Sequence, residues 1–264
     1  FMKIKIEDIH VLRIMKTTLS LIDSDGCAES YLPNAYSDSR NMSSAWIIIY
    51  IMVKTNIDLI QKANLKELIL QKQSQTLQYV QKCKSYSNAY SMSPCSEEHG
   101  GGFLLSLIPQ ILCQKVMKLL DLPEVELDVS DDFIMRLFQR NELLWNGRPN
   151  KPECLCYILW SFGAVHLLKL NHLVDSTAMK NNILLRQFRM KPSAAEELVI
   201  KMTKVKKLED CSSKQDFAAY LMDKYGSIYV GFVQAEDKPD LMHSYAALVG
   251  WFVVNGGDFD FTTL

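Results

Sequence analysis

The chain has 264 residues, of which 48% are hydrophobic, and its formal net charge is −1. This length and composition suffice for one domain with a sizeable hydrophobic core. A charge so near zero provides no broad basic field for nucleic acid or anionic membranes, so nucleic acid is not expected as a partner. An anionic ligand would have to be recognised by a local cluster of cations.

The cysteine content and the apolar runs indicate a cellular compartment. There are seven cysteines, an odd number at irregular spacings, which is typical of a reducing environment rather than of a disulfide framework. No secretory leader opens the sequence, and the longest apolar run, residues 46–53, is much shorter than the ~20 residues of a membrane helix. We therefore expect a cytoplasmic protein without a membrane span.

Apolar residues recur at intervals of three and four along most of the chain, which predicts helices. The first such segment covers residues 9–21. Later helices are predicted over residues 41–53, 62–82, 101–120, 130–144, 155–171, 174–189, 193–207, 212–224 and 240–254. Alternation typical of strands is scarce, so the predicted fold class is all-α.

Similar short connections recur between the predicted helices. They lie at residues 25–28, 87–90, 145–148 and 230–233, and each leads into a polar loop. Their unequal intervals favour helical-hairpin repeats with insertions over a strict solenoid. The alternative is that glycine turns recur in any helical protein.

The most informative stretch is residues 147–160, which concentrates side chains for two kinds of chemistry. It contains Arg148, Lys151, Cys154, Cys156, Tyr157 and Trp160. Arginine and lysine suit phosphate oxygens, whereas thiolates suit a soft metal such as zinc. Alone, this stretch is equally compatible with a solvated turn followed by a core helix.

Four blocks of sequence, in order, resemble one protein family. Residues 147–152 read Gly-Arg-Pro-Asn-Lys-Pro and precede Cys-x-Cys-Tyr and a tryptophan. Gly-Phe at 231–232 precedes Pro-Asp-x-x-His at 239–243, residues 97–101 read Glu-x-His-Gly-Gly, and residues 38–40 read Asp-x-Arg. With these blocks the chain resembles the beta subunit of protein prenyltransferases, and most of all that of protein geranylgeranyltransferase type I.

The resemblance implies an alpha-alpha toroid, a barrel of helical hairpins around a central cavity. Residues 1–264 would form this single domain, incomplete at its N-terminus, and residues 190–228 would be an insertion.

The resemblance also implies a zinc site formed by Cys154, Cys156 and His243. The family has an aspartate at the position of Cys154. Zinc accepts a thiolate at ~2.3 Å as well as a carboxylate, and the formal charge of the site is unchanged. Residues i and i+2 lie ~200° apart on a regular helix, so both thiols can face one ion only at a helix start, which Pro152 predicts nearby.

By the same resemblance, four residues would bind a prenyl diphosphate: His99, Arg148, Lys151 and Tyr157. Trp160 would contact the isoprenoid, and Arg40 would bind the C-terminal end of a protein substrate. Whether Mg²⁺ takes part stays open between two alternatives. Gln234 stands near the place where the family carries either a lysine or an aspartate that supports Mg²⁺. In one alternative Lys238 takes the place of the ion, and in the other Glu236 or Asp237 supports Mg²⁺.

The implied function is zinc-dependent transfer of a geranylgeranyl group from geranylgeranyl diphosphate to the cysteine of a C-terminal Cys-a-a-X motif. Cys156, His243 and Tyr157 would be the catalytic residues. The implied partners are an alpha subunit, which completes a heterodimer, and Cys-a-a-X proteins such as small GTPases. Farnesyl transfer is one alternative, and a degenerate, non-catalytic toroid that keeps partner binding is another.

Overall fold

The structure is a computed structural model. It describes residues 7–30, 37–123, 126–129, 147–148, 151, 154–185, 187–190, 228–232 and 241–254. The first five helices are α1 (Asp8–Leu21), α2 (Ser39–Thr55), α3 (Ile57–Lys62), α4 (Lys66–Cys83) and α5 (Gly100–Leu119). A π-helical turn (Ile158–Phe162) then runs into α6 (Gly163–Leu167), followed by a 3₁₀ turn (Asn171–Leu173), α7 (Ser176–Leu185) and α8 (Leu241–Val254). Two strands, β1 (Gln187–Met190) and β2 (Ile228–Phe232), pair antiparallel.

Most of the predicted helices are confirmed within the described residues, with three corrections. The helix predicted over 155–171 begins as a π-helical turn and ends at Leu167, because Lys169 adopts a positive φ of 60°. The helix predicted over 62–82 is divided, because Asn64 adopts a positive φ of 53° that ends one helix before the next begins. The helix predicted over 174–189 ends at Leu185, and residues 187–190 form β1, because their backbone pairs with β2 instead. The segments 130–144, 193–207 and 212–224 lie outside the described residues.

Two connections, at residues 21–29 and 83–91, have the same backbone hydrogen-bond pattern, which confirms the repeat hypothesis for this part of the chain. The backbone bonds of the two turns correspond: Asp23 N–H to Cys27 O, Gly26 N–H to Asp23 O and Glu29 N–H to Leu21 O in the first, and Ser85 N–H to Ala89 O, Asn88 N–H to Ser85 O and Ser91 N–H to Cys83 O in the second. Gly26 has φ +91°, and a Cβ there would lie 1.9 Å from Gln75 O, so only glycine fits. Asn88 supplies the matching positive φ of 62° in the second turn.

The helices that follow these turns pack side by side, with α2 beside α5, α5 beside the π-helical turn, and that turn beside α8. Gly100 lies against Tyr157, and Gly163 lies against Leu104 one turn further along. Because contact positions rise together in both segments, α5 and the turn are parallel. Cys154 near His243 and Ile158 near Gly250 show the same for α8. The N-terminal ends of these elements therefore share one edge of the layer.

Hydrogen bonds between successive repeats tie these helix starts to the next connection. The Ser39 N–H donates to Met92 O at 2.9 Å, and the Gly100 N–H donates to Gly147 O at 2.8 Å. These bonds satisfy donors that a helix N-terminus leaves without an intrahelical partner. The second bond brings the segment beginning at Gly147 to the start of α5.

Among the described helices, α5 alone has the length and hydropathy of a membrane span, which the sequence analysis did not anticipate. However, 72% of the apolar stretch is buried inside the protein. Leu107, Leu112 and Val116 are among its buried side chains. The hydropathy of α5 is therefore that of a core helix.

Candidate functional site

Two cysteines and a histidine converge at the shared helix edge and form what we call the thiol cluster: Cys154, Cys156 and His243. Sγ of Cys154 lies 2.7 Å from Sγ of Cys156 and 3.3 Å from Nε2 of His243. All three ligand atoms lie within 4.8 Å of one another. The side chains are largely buried, at 8%, 9% and 9% exposure.

Local backbone structure explains how residues two apart in sequence face one point. Cys154 precedes the helical run, whereas Cys156 stands on its first turn, so the ~100° per residue of a continuous helix does not separate their side chains. His243 comes from the first turn of α8. The close approach of α8 depends on Gly250, because a Cβ there would lie 2.2 Å from Cγ2 of Ile158.

The cluster favours a thiolate. The hydrogen bond from Cys156, followed by that from His243, outweighs burial and lowers the pKa of Cys154 from 9.0 to about 5. Cys154 is then ionised at neutral pH, and the thiolate is the form that binds metals.

The donor set fits zinc in its catalytic arrangement. Two sulfurs and one imidazole nitrogen are common zinc ligands, and three protein ligands leave a fourth tetrahedral position for a substrate. Two thiolates bound at ~2.3 Å would be ~3.8 Å apart, so zinc would draw the sulfurs of Cys154 and Cys156 apart by ~1 Å. A small rotation of the Cys154 side chain, which lies outside the helix, would accommodate that change.

The second group, which we call the cation cluster, consists of Arg148, Lys151, His99 and Tyr157. Nη1 of Arg148 lies 2.7 Å from Oε2 of Glu97, and its guanidinium also hydrogen bonds to the Tyr157 hydroxyl. The Glu97 carboxylate is the main cause of the raised pKa of Arg148, and Arg148 in turn lowers the pKa of Glu97. Lys151 is exposed, and its N–H donates to Arg148 O at 3.4 Å.

His99 caps α5 and faces this cluster. Its Nδ1 accepts from the backbone N–H of Gly101 at 3.1 Å and of Gly102 at 3.3 Å. An accepting Nδ1 places the proton of the neutral ring on Nε2, which is thereby a donor. Burial, and then the charge of Arg148, lowers the pKa of His99, so the neutral ring is favoured.

Tyr157 joins the two clusters. It follows Cys156 in sequence, and its ring meets that of His99 edge to face at 6.5 Å between centroids. A Cβ at Gly147 would lie only 1.7 Å from Cζ of the ring, so glycine is required there. Burial, and then the electrostatic influence of the neighbouring Cys156, raises the pKa of Tyr157, which keeps its hydroxyl protonated and able to donate.

The remaining predicted residues lie at the same edge or outside the described chain. Trp160 is half-buried in the π-helical turn, with its ring 3.9 Å from the Cβ position of Gly101. Arg40 lies at the start of α2, is 64% exposed and directs its hydrogen bonds to Asp38, the N-cap of that helix. The residues considered for Mg²⁺, which are Gln234, Glu236, Asp237 and Lys238, fall outside the described residues.

Two roles seen in the structure go beyond those assigned to the predicted site residues. His99 serves as a helix cap as well as a candidate ligand-binding group, and Glu97 pairs with Arg148. The three glycines after His99 are a signal for the first, since they leave the backbone N–H groups accessible to the ring. No local pattern signals the second, because the pair joins residues of different repeats.

Comparisons with known proteins find relatives of this chain. The family model described as "Prenyltransferase alpha-alpha toroid domain" matches residues 2–258. Over 98 residues the chain is 35% identical to the beta subunit of protein farnesyltransferase from Pisum sativum. The aligned segment covers 37% of this chain and 22% of that protein. A solved structure of Candida albicans protein geranylgeranyltransferase-I, complexed with GGPP, aligns at TM-score 0.45 and 15% identity over 87% of this chain and 54% of the other. The chain thus spans well under two thirds of both relatives.

Proposed function

This chain belongs to the prenyltransferase alpha-alpha toroid family, and we propose that it is the catalytic beta subunit of a protein geranylgeranyltransferase type I. The family match over residues 2–258 confirms the predicted alpha-alpha toroid. The proposed reaction joins the sulfur of a C-terminal Cys-a-a-X cysteine to the first carbon of geranylgeranyl diphosphate. The carbon–oxygen bond breaks, diphosphate leaves and the thiol loses its proton.

The observation that carries the proposal is the adjacency of the thiol cluster and the cation cluster across Tyr157. Zinc held by Cys154, Cys156 and His243 would bind the substrate cysteine as a thiolate at its open position. Tyr157 follows Cys156 directly and reaches Arg148, so the acceptor and the leaving group would lie on neighbouring sides of one residue. That placement reduces the entropy cost of bringing two substrates together.

The cation cluster supplies what a leaving diphosphate needs. Negative charge grows on the leaving oxygen in the transition state, and fixed donors aimed at it lower the barrier. Arg148 offers a planar fork, Lys151 a second positive charge, and the Tyr157 hydroxyl and His99 Nε2–H offer neutral donors. Burial keeps the His99 ring neutral, so it contributes a hydrogen bond rather than a charge.

The other roles follow from positions at the same edge. Trp160, half-buried beside α5, would contact the isoprenoid. Arg40 would bind the C-terminal end of the protein substrate with those guanidinium N–H groups that do not bond to Asp38. We further propose an alpha subunit as heterodimer partner, small GTPases among the substrates, and the cytoplasm as the location.

A transfer assay tests the proposal. The chain is combined with a prenyltransferase alpha subunit and zinc, and tritiated geranylgeranyl diphosphate and a peptide ending in Cys-a-a-Leu are added. We expect prenylated peptide, with the peptide Ser-a-a-Leu as the unreactive control. A parallel reaction with farnesyl diphosphate measures isoprenoid choice, and faster farnesyl transfer would replace the geranylgeranyl assignment with the alternative that the pea relative favours.

The second candidate function is a degenerate toroid that binds the alpha subunit without catalysis. The observation that favours it is Cys154, which stands where the family carries an aspartate, because a second thiolate donates more charge to zinc and weakens it as a Lewis acid. Stable association with the alpha subunit, together with absent transfer to the Cys-a-a-Leu peptide from either diphosphate, would establish this function in place of the enzyme.

A further inference from the structure

Glu97 is the one carboxylate of the described chain seen on the cation cluster. Its Oε2 lies 2.7 Å from Nη1 of Arg148, and the charge of Lys151 also acts on it. The carboxylate thus engages a guanidinium nitrogen, Nη1, that an anionic ligand could bind. Glu97 is 55% exposed and Arg148 is 37% exposed, so water reaches both partners.

Such a pair is weak and easily exchanged. Exposed ion pairs contribute little, because water screens them and two long side chains lose freedom. A carboxylate brings a single charge, whereas a diphosphate brings several charges and a geometry that matches an arginine fork. Arg148 would also keep its bond to Tyr157 while Glu97 leaves, so the guanidinium stays in place during the exchange.

We propose that Glu97 is a displaceable counterion of the diphosphate site, which holds Arg148 between turnovers, yields to a polyanion and reclaims the guanidinium as the product departs. This inference rests on the proposed function, since it names the competitor within the same site. It predicts two properties. Glu97 lowers affinity for any anion, and it does so most effectively for anions of low charge, which gain least from displacing it.

Calorimetric titration of the full chain with inorganic pyrophosphate, at low ionic strength, tests the proposal. The variants are Glu97→Gln and, as a matched control, Glu98→Gln, which removes the same charge from the neighbouring, half-buried residue. We expect Glu97→Gln to bind pyrophosphate about two- to fivefold more tightly than the wild type. Glu98→Gln should bind as the wild type does, and orthophosphate should gain at least as much as pyrophosphate from Glu97→Gln.

Other outcomes separate the inference from the proposed function. Weaker binding by Glu97→Gln would show that Glu97 positions Arg148, and equal tightening by Glu98→Gln would show a general charge effect; either overturns the counterion role alone. Arg148→Gln tests the site itself, since it should lose most of the affinity. Unchanged pyrophosphate binding in Arg148→Gln would overturn the diphosphate site, and the counterion role with it. Thermal unfolding of each variant, expected to match the wild type, confirms that the folds are equal.

Discussion

The thiol cluster and the cation cluster share Tyr157 but are built by different physical means. The thiol cluster is about nine-tenths buried, and its three ligand atoms lie within 4.8 Å of one another. The cation cluster lies at the edge, where Arg148 and Lys151 reach water and Glu97 balances their charge. Buried electrostatic contacts are strong and insensitive to salt, whereas exposed ones are weak and screened.

The difference suggests how one site can hold an ion permanently and a substrate transiently. A resident metal benefits from ligands that water cannot replace, and the thiol cluster provides them. A diphosphate that must leave after each turnover benefits from contacts that exchange readily. Variants of each cluster test whether the buried one holds a metal and the exposed one binds an anion reversibly.

The largest effect is expected from His243→Ala, which removes the imidazole that completes the thiol cluster. Loss of a direct ligand should cost more than the ~10–100-fold in metal affinity that loss of an outer partner costs. We therefore expect purified His243→Ala to lack zinc and to have no transfer activity. Metal content by mass spectrometry and the transfer assay check this, with His166→Ala, a histidine of α6 hydrogen bonded to Asn171, as the matched control.

A fully active, zinc-loaded His243→Ala would refute the metal assignment. It would also remove the contrast between the clusters, since the buried one would then be ordinary core.

The next largest effect is expected at Cys154, where two substitutions should differ in metal content and transfer activity. Cys154→Asp keeps an anionic ligand and should retain metal and at least wild-type activity, whereas Cys154→Ala removes it and should lose both. Cobalt substitution gives a second readout, because thiolate-to-cobalt absorption should fall by about half in Cys154→Asp as one of two thiolates is replaced. Undiminished absorption in Cys154→Asp would place Cys154 outside the metal's ligands.

Only part of this arrangement follows from the sequence. Apolar spacing predicted α2 and α5, and the break before Cys154 predicted that two thiols could face one point, because both depend on local geometry. The contact between Gly147 and Tyr157, the Glu97–Arg148 pair and the strand at 187–190 depend on which segments meet in space. Local patterns carry no information on such contacts. The residue pattern of Gln187–Met190 is compatible with a helix, and these residues form a strand because they pair with β2.

A smaller effect, on stability, is expected from Gly147→Ala. The new Cβ would fall 1.7 Å from Cζ of Tyr157, so the ring or the backbone must move, at a cost of about 1–3 kcal/mol. Pyrophosphate affinity should fall while zinc content stays, since the displaced ring belongs to the cation cluster. Urea unfolding and metal analysis check this against Gly163→Ala, whose Cβ would meet Leu104 at 3.3 Å. Zinc loss in Gly147→Ala would show that the two clusters are coupled rather than independent.

The smallest effect is a pH dependence at His99. Burial, and then Arg148, lowers the pKa of its ring below 6.5, so the folded state favours the neutral form that caps α5 through Nδ1. The stability from this group is fully present above the unfolded pKa of ~6.5 and is lost as the pH falls through the folded value. His99→Asn keeps a capping acceptor without a proton to gain. Urea unfolding should therefore find the two proteins similar near ~pH 8, with wild type losing more stability than His99→Asn toward ~pH 5; parallel losses would show that His99 does not titrate as a cap.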